Sequence, residues 1–141
     1  MSHKIIRSLL ESRLKAWAAA RTPPLRIAYQ NVPFTPNNGE TYLRAFLLPA
    51  GTESNDLAGA HRLYTGVFQV SIVTPTGNGP AGAETIADEL AALYPLNDRL
   101  IRGGLIALVM TPVEPGPEQT EDTAFTLPVS FQYRSDTVSQ I

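Results

Sequence analysis

The sequence predicts an α+β chain in which two helices pack on a mainly antiparallel sheet of about five strands, in the order α-β-β-β-α-β-β. Three observations carry this. Apolar residues recur at helical spacing in residues 3–21 and again in residues 83–94. Residues 123–134 alternate between apolar and polar side chains, the period of a strand. Extended segments joined by turns lie between the two helical ones, which points to helices packed on a sheet.

The first helix is read over residues 3–21. Ile6, Leu10, Leu14 and Trp17 make an apolar stripe that Ile5 and Leu9 widen, and Pro23-Pro24 ends it. Ser2 is the expected N-cap. Lys4, Arg7, Glu11 and Lys15 occupy the opposite face. Arg13 does not fit, because the helical wheel puts its guanidinium in the middle of the stripe, where it needs a carboxylate or a subunit boundary. Residues 25–31 follow as a short strand. Residues 42–48 make the next, with apolar residues on both faces (Tyr42, Phe46 and Leu48 on one, Leu43, Ala45 and Leu47 on the other), so that it is expected to be covered on both sides. The long strand 63–74 comes after a polar connection, residues 49–62, which is expected to be a mobile hairpin loop.

The second helix, residues 83–94, buries Ile86, Leu90 and Leu93 and is stopped by Pro95; Glu84 in its first turn suits the helix dipole. Residues 105–111 read as a strand and residues 112–121 as a Pro/Glu-rich loop. In the last strand Phe125, Leu127, Val129, Phe131 and Tyr133 share a face, and Pro128 argues for a sheet edge or a bulge.

A length of 141 residues suits one domain, residues 1–141, and the 43% apolar content excludes a disordered or fibrous chain. Cysteine is absent, which excludes disulfides, a thiol nucleophile and thiolate metal sites. No apolar run is long enough to cross a bilayer and the N-terminus does not read as a signal peptide, so a soluble cytoplasmic protein is expected. The net charge of −2 hides an asymmetry. Residues 1–26 carry six basic residues and one acid, Glu11, whereas the rest of the chain carries a surplus of acids. Such a chain can assemble through complementary patches.

The sharpest motif is Gly77-Asn78-Gly79-Pro80-Ala81-Gly82, a G-x-G-x-x-G between strand and helix, the context of a dinucleotide fingerprint. Three residues separate strand from glycine, Pro80 removes an N–H from the cradle, and no acid stands about 20 residues on to hold a ribose. A flexible turn is the better reading. His3, placed at a frayed terminus, and His61, in the long loop, make no metal pattern, and Glu118, Glu121 and Asp122 read as a solvated acidic turn. No nucleophile, base and orienting group can be assembled; no catalytic residue, cofactor site or metal site is predicted.

The ordered blocks Tyr29-Gln30-Asn31-Val32-Pro33-Phe34-Thr35-Pro36, Tyr42-Leu43-Arg44, Gly66-Val67-Phe68-Gln69-Val70, Pro75-Thr76-Gly77-Asn78-Gly79, Ala87-Asp88 and Pro128-Val129-Ser130-Phe131-Gln132-Tyr133-Arg134 resemble phage tail terminator proteins, a tail-completion or minor tail family, over residues 3–134. The resemblance implies a non-enzymatic α+β subunit without a cofactor. It implies a homo-oligomeric ring, a hexamer, at the head-proximal end of the tail tube, which ends tube polymerisation and offers the head-joining surface. The implied partners are a second copy, the tail tube protein and the head–tail connector; DNA passes through the ring without specific binding, and no membrane is involved. The implied location is the virion tail, and the host cytoplasm during assembly. Within this reading Arg13, Gly51, Glu53, Asp56, His61 and Arg62 are the candidate assembly residues, with Arg13 expected in an intersubunit ion pair. The alternatives are a small nucleotide-binding enzyme using the Gly77 to Gly82 loop, or another phage neck or tail component of related fold.

Overall fold

The computed structural model describes residues 3–53, 61–77, 79–102, 105–121 and 123–138. The order is α1 (His3–Ala20), β1 (Arg26–Tyr29), β2 (Tyr42–Glu53), β3 (His61–Pro75), α2 (Ala81–Leu93), β4 (Arg99–Arg102), β5 (Leu105–Val109), β6 (Glu114–Pro115), β7 (Gln119–Thr120) and β8 (Ala124–Val138). The chain is α+β as predicted, and its sheet has eight strands where about five were expected. Along the sheet they run β1-β2-β3-β8-β5-β4, with β6 and β7 also on β8. All pairs are antiparallel except β1 with β2. A parallel pair needs a crossover of about a dozen residues, and residues 30–41 supply it without a helix.

Alternation decides which face is buried. The register lines up three rows, Leu43–Ile72–Leu127, Ala45–Val70–Val129 and Leu47–Phe68–Phe131, all buried. Both helices pack on this face: α2 lies on β3 and β8, and α1 touches both edge strands, β1 and β4, so that the sheet curls round it. From α1 the residues Ile6, Leu9, Leu10, Leu14 and Ala18 are buried, as the apolar period requires. Each large one contributes about 1.5–3 kcal/mol by leaving water. No helix among the described residues is long and apolar enough to cross a membrane.

Several expectations need correction. β2 is covered on one face only: Leu43, Ala45 and Leu47 are buried, while Arg44 and Leu48 are exposed on the other. The described part of the predicted loop 49–62, residues 49–53 and 61–62, is strand. After a register shift between Pro49 and Gly51, the ladder resumes through Gly51–Thr65, Thr52–Tyr64 and Glu53–Leu63, because a polar strand end costs nothing when its backbone pairs with a neighbour. Residues 54–60, with Asp56, lie outside the described residues, as do Ser2, Asn78 and Asp122. Pro128 lies in an inner strand, flanked by β3 on one side and β5, β6 and β7 on the other. Its carbonyl accepts from Gly116 N at 2.7 Å, which places its nitrogen on the same side, beside the gap between β6 and β7. There no ladder partner awaits the missing N–H.

The crossover is pinned by side chains. Gln30 Oε1 accepts from Leu47 N at 2.8 Å, serving a strand amide beyond the end of β1. Arg26 donates to Glu40 Oε1 at 2.6 Å and Oε2 at 2.7 Å, and to the Thr35 carbonyl at 3.0 Å. The Arg26 hydrogen bonds outweigh the penalty of burial and, with the Asn37 N–H and the guanidinium charge, hold the Glu40 carboxyl at about 2. A carboxylate lowered on folding stabilises above its unfolded value, about 4.3, and that contribution disappears as pH falls through about 2. Glu40→Gln is therefore expected to flatten the loss of stability between those pH values. Urea melts across the window check this, and an unchanged slope would exclude the pair as its source.

Candidate assembly surfaces

Arg13 projects from the apolar side of α1 and meets the far end of α2. It pairs with Asp98, donates to the Leu93 carbonyl at 3.1 Å, and lies 5.9 Å from the centre of the Tyr94 ring. The need for a carboxylate was legible in the sequence. Within the single chain Asp98 supplies that charge, and the Leu93 carbonyl, free at a helix end, takes a second donor. Both side chains are about 30% exposed (30% and 31%), which screens the pair. Arg13→Ala is expected to cost about 1 kcal/mol in a urea melt. A cycle with Asp98→Ala should show most of that loss to be shared, and independent losses would contradict the pairing.

The other candidates gather elsewhere. Gly51 and Glu53 end β2, while His61 and Arg62 begin β3, so all four sit at one end of the sheet, on the stem of β2, β3 and β8 that β5 flanks as far as Asp136; there His61 is opposite Val138 and Arg62 opposite Thr137. Arg13 lies about 15 Å further along α1 than His3, which meets this stem. The six predicted residues therefore do not form one site. His3, expected to be frayed, instead anchors the stem. Its Nδ1 is 2.8 Å from Tyr133 Oη and its Nε2 3.3 Å from Thr52 Oγ1, with its ring edge-on to Tyr64 at 5.1 Å. Burial lowers its pKa and raises that of Tyr133 to about 12, so both are neutral at pH 7.

The glycine turn is not a phosphate cradle. Gly77 and Gly79 have φ of 99° and 73°, which only glycine adopts freely, and they turn the chain from β3 into α2. β3 has antiparallel neighbours on both sides, so no parallel βαβ unit exists there. Glu118 lines the hollow beside this turn, which opposes a phosphate. Among the described residues no group of three or more His, Asp or Glu is placed to hold a metal ion.

Ion pairing leaves two charged grooves. Arg21 grips Glu89 through three hydrogen bonds of 3.0–3.2 Å, so Arg13, Arg21 and Arg26 are all neutralised within the chain, by Asp98, Glu89 and Glu40. What remains of the basic segment is Lys4, Arg7 and Lys15, which with Glu11 and Val32 line a groove of about 400 Å³ between α1 and the end of β1. Arg7 Nε and Glu11 Oε2 are buried there without a hydrogen-bond partner, and burial raises the Glu11 pKa against the pull of Arg7. A second groove of about 280 Å³ lies between α2 and β6, with Glu84, Asp88 and Glu118 around a floor that includes Ala87, Ala91 and Val113. Sequence reasoning found the charge asymmetry; it missed that internal pairing takes up Arg13, Arg21 and Arg26 and leaves Lys4, Arg7 and Lys15 together in one groove, because those partners are distant along the chain.

The fold has known counterparts. A family model described as phage tail terminator protein matches residues 5–133. A solved structure 48% identical in sequence superposes with a TM-score of 0.82, covering 96% of this chain and 96% of its own; its name states no activity or partner. No curated protein matches.

Proposed function

The chain belongs to the phage tail terminator family, a family of structural tail proteins, and on that premise we propose that it caps the tail tube as a homo-oligomeric ring of six copies. In this reading the ring ends polymerisation of the tube protein and presents the surface that the head–tail connector joins. The observation that carries the proposal is the family match over residues 5–133, which takes in α2 and all but the first two residues of α1 and reaches into every strand. The role is structural rather than enzymatic and uses no cofactor; DNA passes the ring without sequence readout. The subunit works in the virion tail after assembling in the host cytoplasm.

The fold offers surfaces of the right kind. The end of the β2–β3 pair with Gly51, Glu53, His61 and Arg62 is kept extended by backbone pairing. We assign the connection between these strands, residues 54–60 with Asp56, to contact with the tube or a neighbouring subunit. Sedimentation velocity over a wide concentration series, with and without tail tubes, tests the ring. A closed species near six copies, or tubes whose growth stops when the protein is added, is the expected result. A stable dimer together with unchecked tube growth would overturn it. Excision of residues 54–60 is expected to preserve the fold and abolish capping, and normal tails after excision would remove that assignment.

A further inference from the structure

We infer that neighbouring copies of this chain join head to tail, the Lys4–Arg7–Lys15 groove beside α1 of one copy receiving the Glu84–Asp88–Glu118 groove beside α2 of the next. The inference rests on the self-assembly reading above and names its contact.

Four observations lead to it. Among the described residues Lys4 and Lys15 have no acidic partner, and Arg7 has only Glu11 nearby, with one buried polar atom of each unserved. On the other side, Glu84 and Asp88 stand one helical turn apart with Glu118 across the groove, and no cation pairs with them among the described residues. Like charges held at that spacing oppose one another until a cation arrives. The grooves cannot serve each other within one chain. The basic one lies at β1 and the acidic one at β6 and β8, with β2 and β3 between, about 14 Å apart across three strand spacings. Each groove also has an apolar part to bury: Val32, 55% exposed, stands at the rim of the basic one, and Ala87, Ala91 and Val113 floor the acidic one. An apolar knob on a small-residue floor, ringed by opposite charges, has the anatomy of a protein interface.

Symmetry then selects the assembly. A two-fold dimer through either groove would set like charge against like. A two-fold dimer that used both basic-to-acidic contacts at once would close at two copies, whereas a single such contact is heterologous, repeats from copy to copy, and closes into a ring when the rotation permits.

The test reverses charge at exposed, unpartnered positions, so that the core is left alone. One variant carries Lys4→Glu and Lys15→Glu, the other Glu84→Lys and Asp88→Lys; circular dichroism confirms the fold of each. Sedimentation velocity follows the wild-type chain, each variant alone and an equal mixture of the two. Each variant alone is expected to lose association at least tenfold, since both its grooves then carry one sign. The mixture is expected to recover it as an alternating assembly with an even number of subunits. Wild-type association is expected to weaken as ionic strength rises from about 0.01 M to about 1 M, over which the screening length falls from about 30 Å to about 3 Å. Variants that assemble as the wild type does would place the contact elsewhere and overturn this inference, leaving the ring reading intact. Variants that lose association without recovery in the mixture would overturn the pairing of the two grooves. A wild-type chain that stays monomeric throughout, also on tail tubes, would overturn both.

Discussion

Replacing Tyr94 by alanine is expected to lower the unfolding free energy by about 4 kcal/mol, at the level of a large aromatic removed from a packed core. Tyr94 is 1% exposed and follows the last residue of α2. Its ring packs on Phe131 at 4.9 Å and on Phe68 at 5.9 Å, which joins the helix end to β8 and β3. Its hydroxyl donates to the Leu10 carbonyl of α1 at 2.7 Å. One side chain thus connects both helices and the two central strands. Burial pushes its phenol far above the usual tyrosine range, so the hydroxyl stays a donor at any working pH. Tyr94→Phe separates the parts. Leu10 lies inside α1, so its carbonyl keeps its helical N–H partner, and the loss should be only about 1 kcal/mol. Thermal melts should show the alanine variant lower by roughly 15 °C, at about 4 °C per kcal/mol for a chain of this size. A loss no greater than that of the phenylalanine variant would mean that the aromatic contacts do not support the core.

Gly66→Ala is expected to cost about 3 kcal/mol, the upper range for overpacking. Gly66 lies in β3 opposite Tyr133 and beside Pro49 of β2, where the register is about to shift. A Cβ there would meet the Tyr133 hydroxyl and, at 2.7 Å, the Leu48 carbonyl oxygen. The Tyr133 ring carbon that bears the hydroxyl is as close, at 2.7 Å, and the carbonyl belongs to the sheet. Gly66→Ala with Tyr133→Phe should therefore recover only part of the loss, whereas full recovery would assign the whole cost to the hydroxyl. Gly51→Ala is the control. It has open space around the position and an unremarkable φ, so it should change stability by no more than about 0.5 kcal/mol. The close approach at Gly66 is also what lets Tyr133 reach across β3 to His3, and so what ties α1 to the stem.

Legibility followed the range of the physics. Helix α1 was readable from Ile6, Leu10 and Leu14 because a helix's period is local, and its observed end at Ala20 falls within a residue of the expected one. Helix α2 was readable for the same reason, though it begins at Ala81, two residues early. β4 was missed because four residues, Arg99 to Arg102, are too few to show alternation. β6 and β7 are two residues each and exist only because β8 presents an edge to them. The strand character of Gly51, Glu53, His61 and Arg62 was hidden by polar composition, since nothing in a side chain reports that its backbone has found a partner. Gly66 did carry a signal, a glycine inside a strand, which marks a close approach without naming the neighbour.

By itself the sequence determined the α+β class, the two helices and the stripe each buries, the long strands, and the charge asymmetry between its first residues and the rest. These depend on spacing along the chain, and spacing is written in the chain. Only the tertiary structure decided that β1 runs parallel to β2, that Pro128 falls beside a gap in the ladder, and that Arg13 is paired with Asp98 of its own chain. It also decided which charges are left over. Arg21 and Arg26 find Glu89 and Glu40, while Lys4, Lys15, Glu84 and Asp88 line the two grooves without an ion pair among the described residues. Partners distant in sequence meet only after the sheet has curled round α1, and no local pattern records such a meeting.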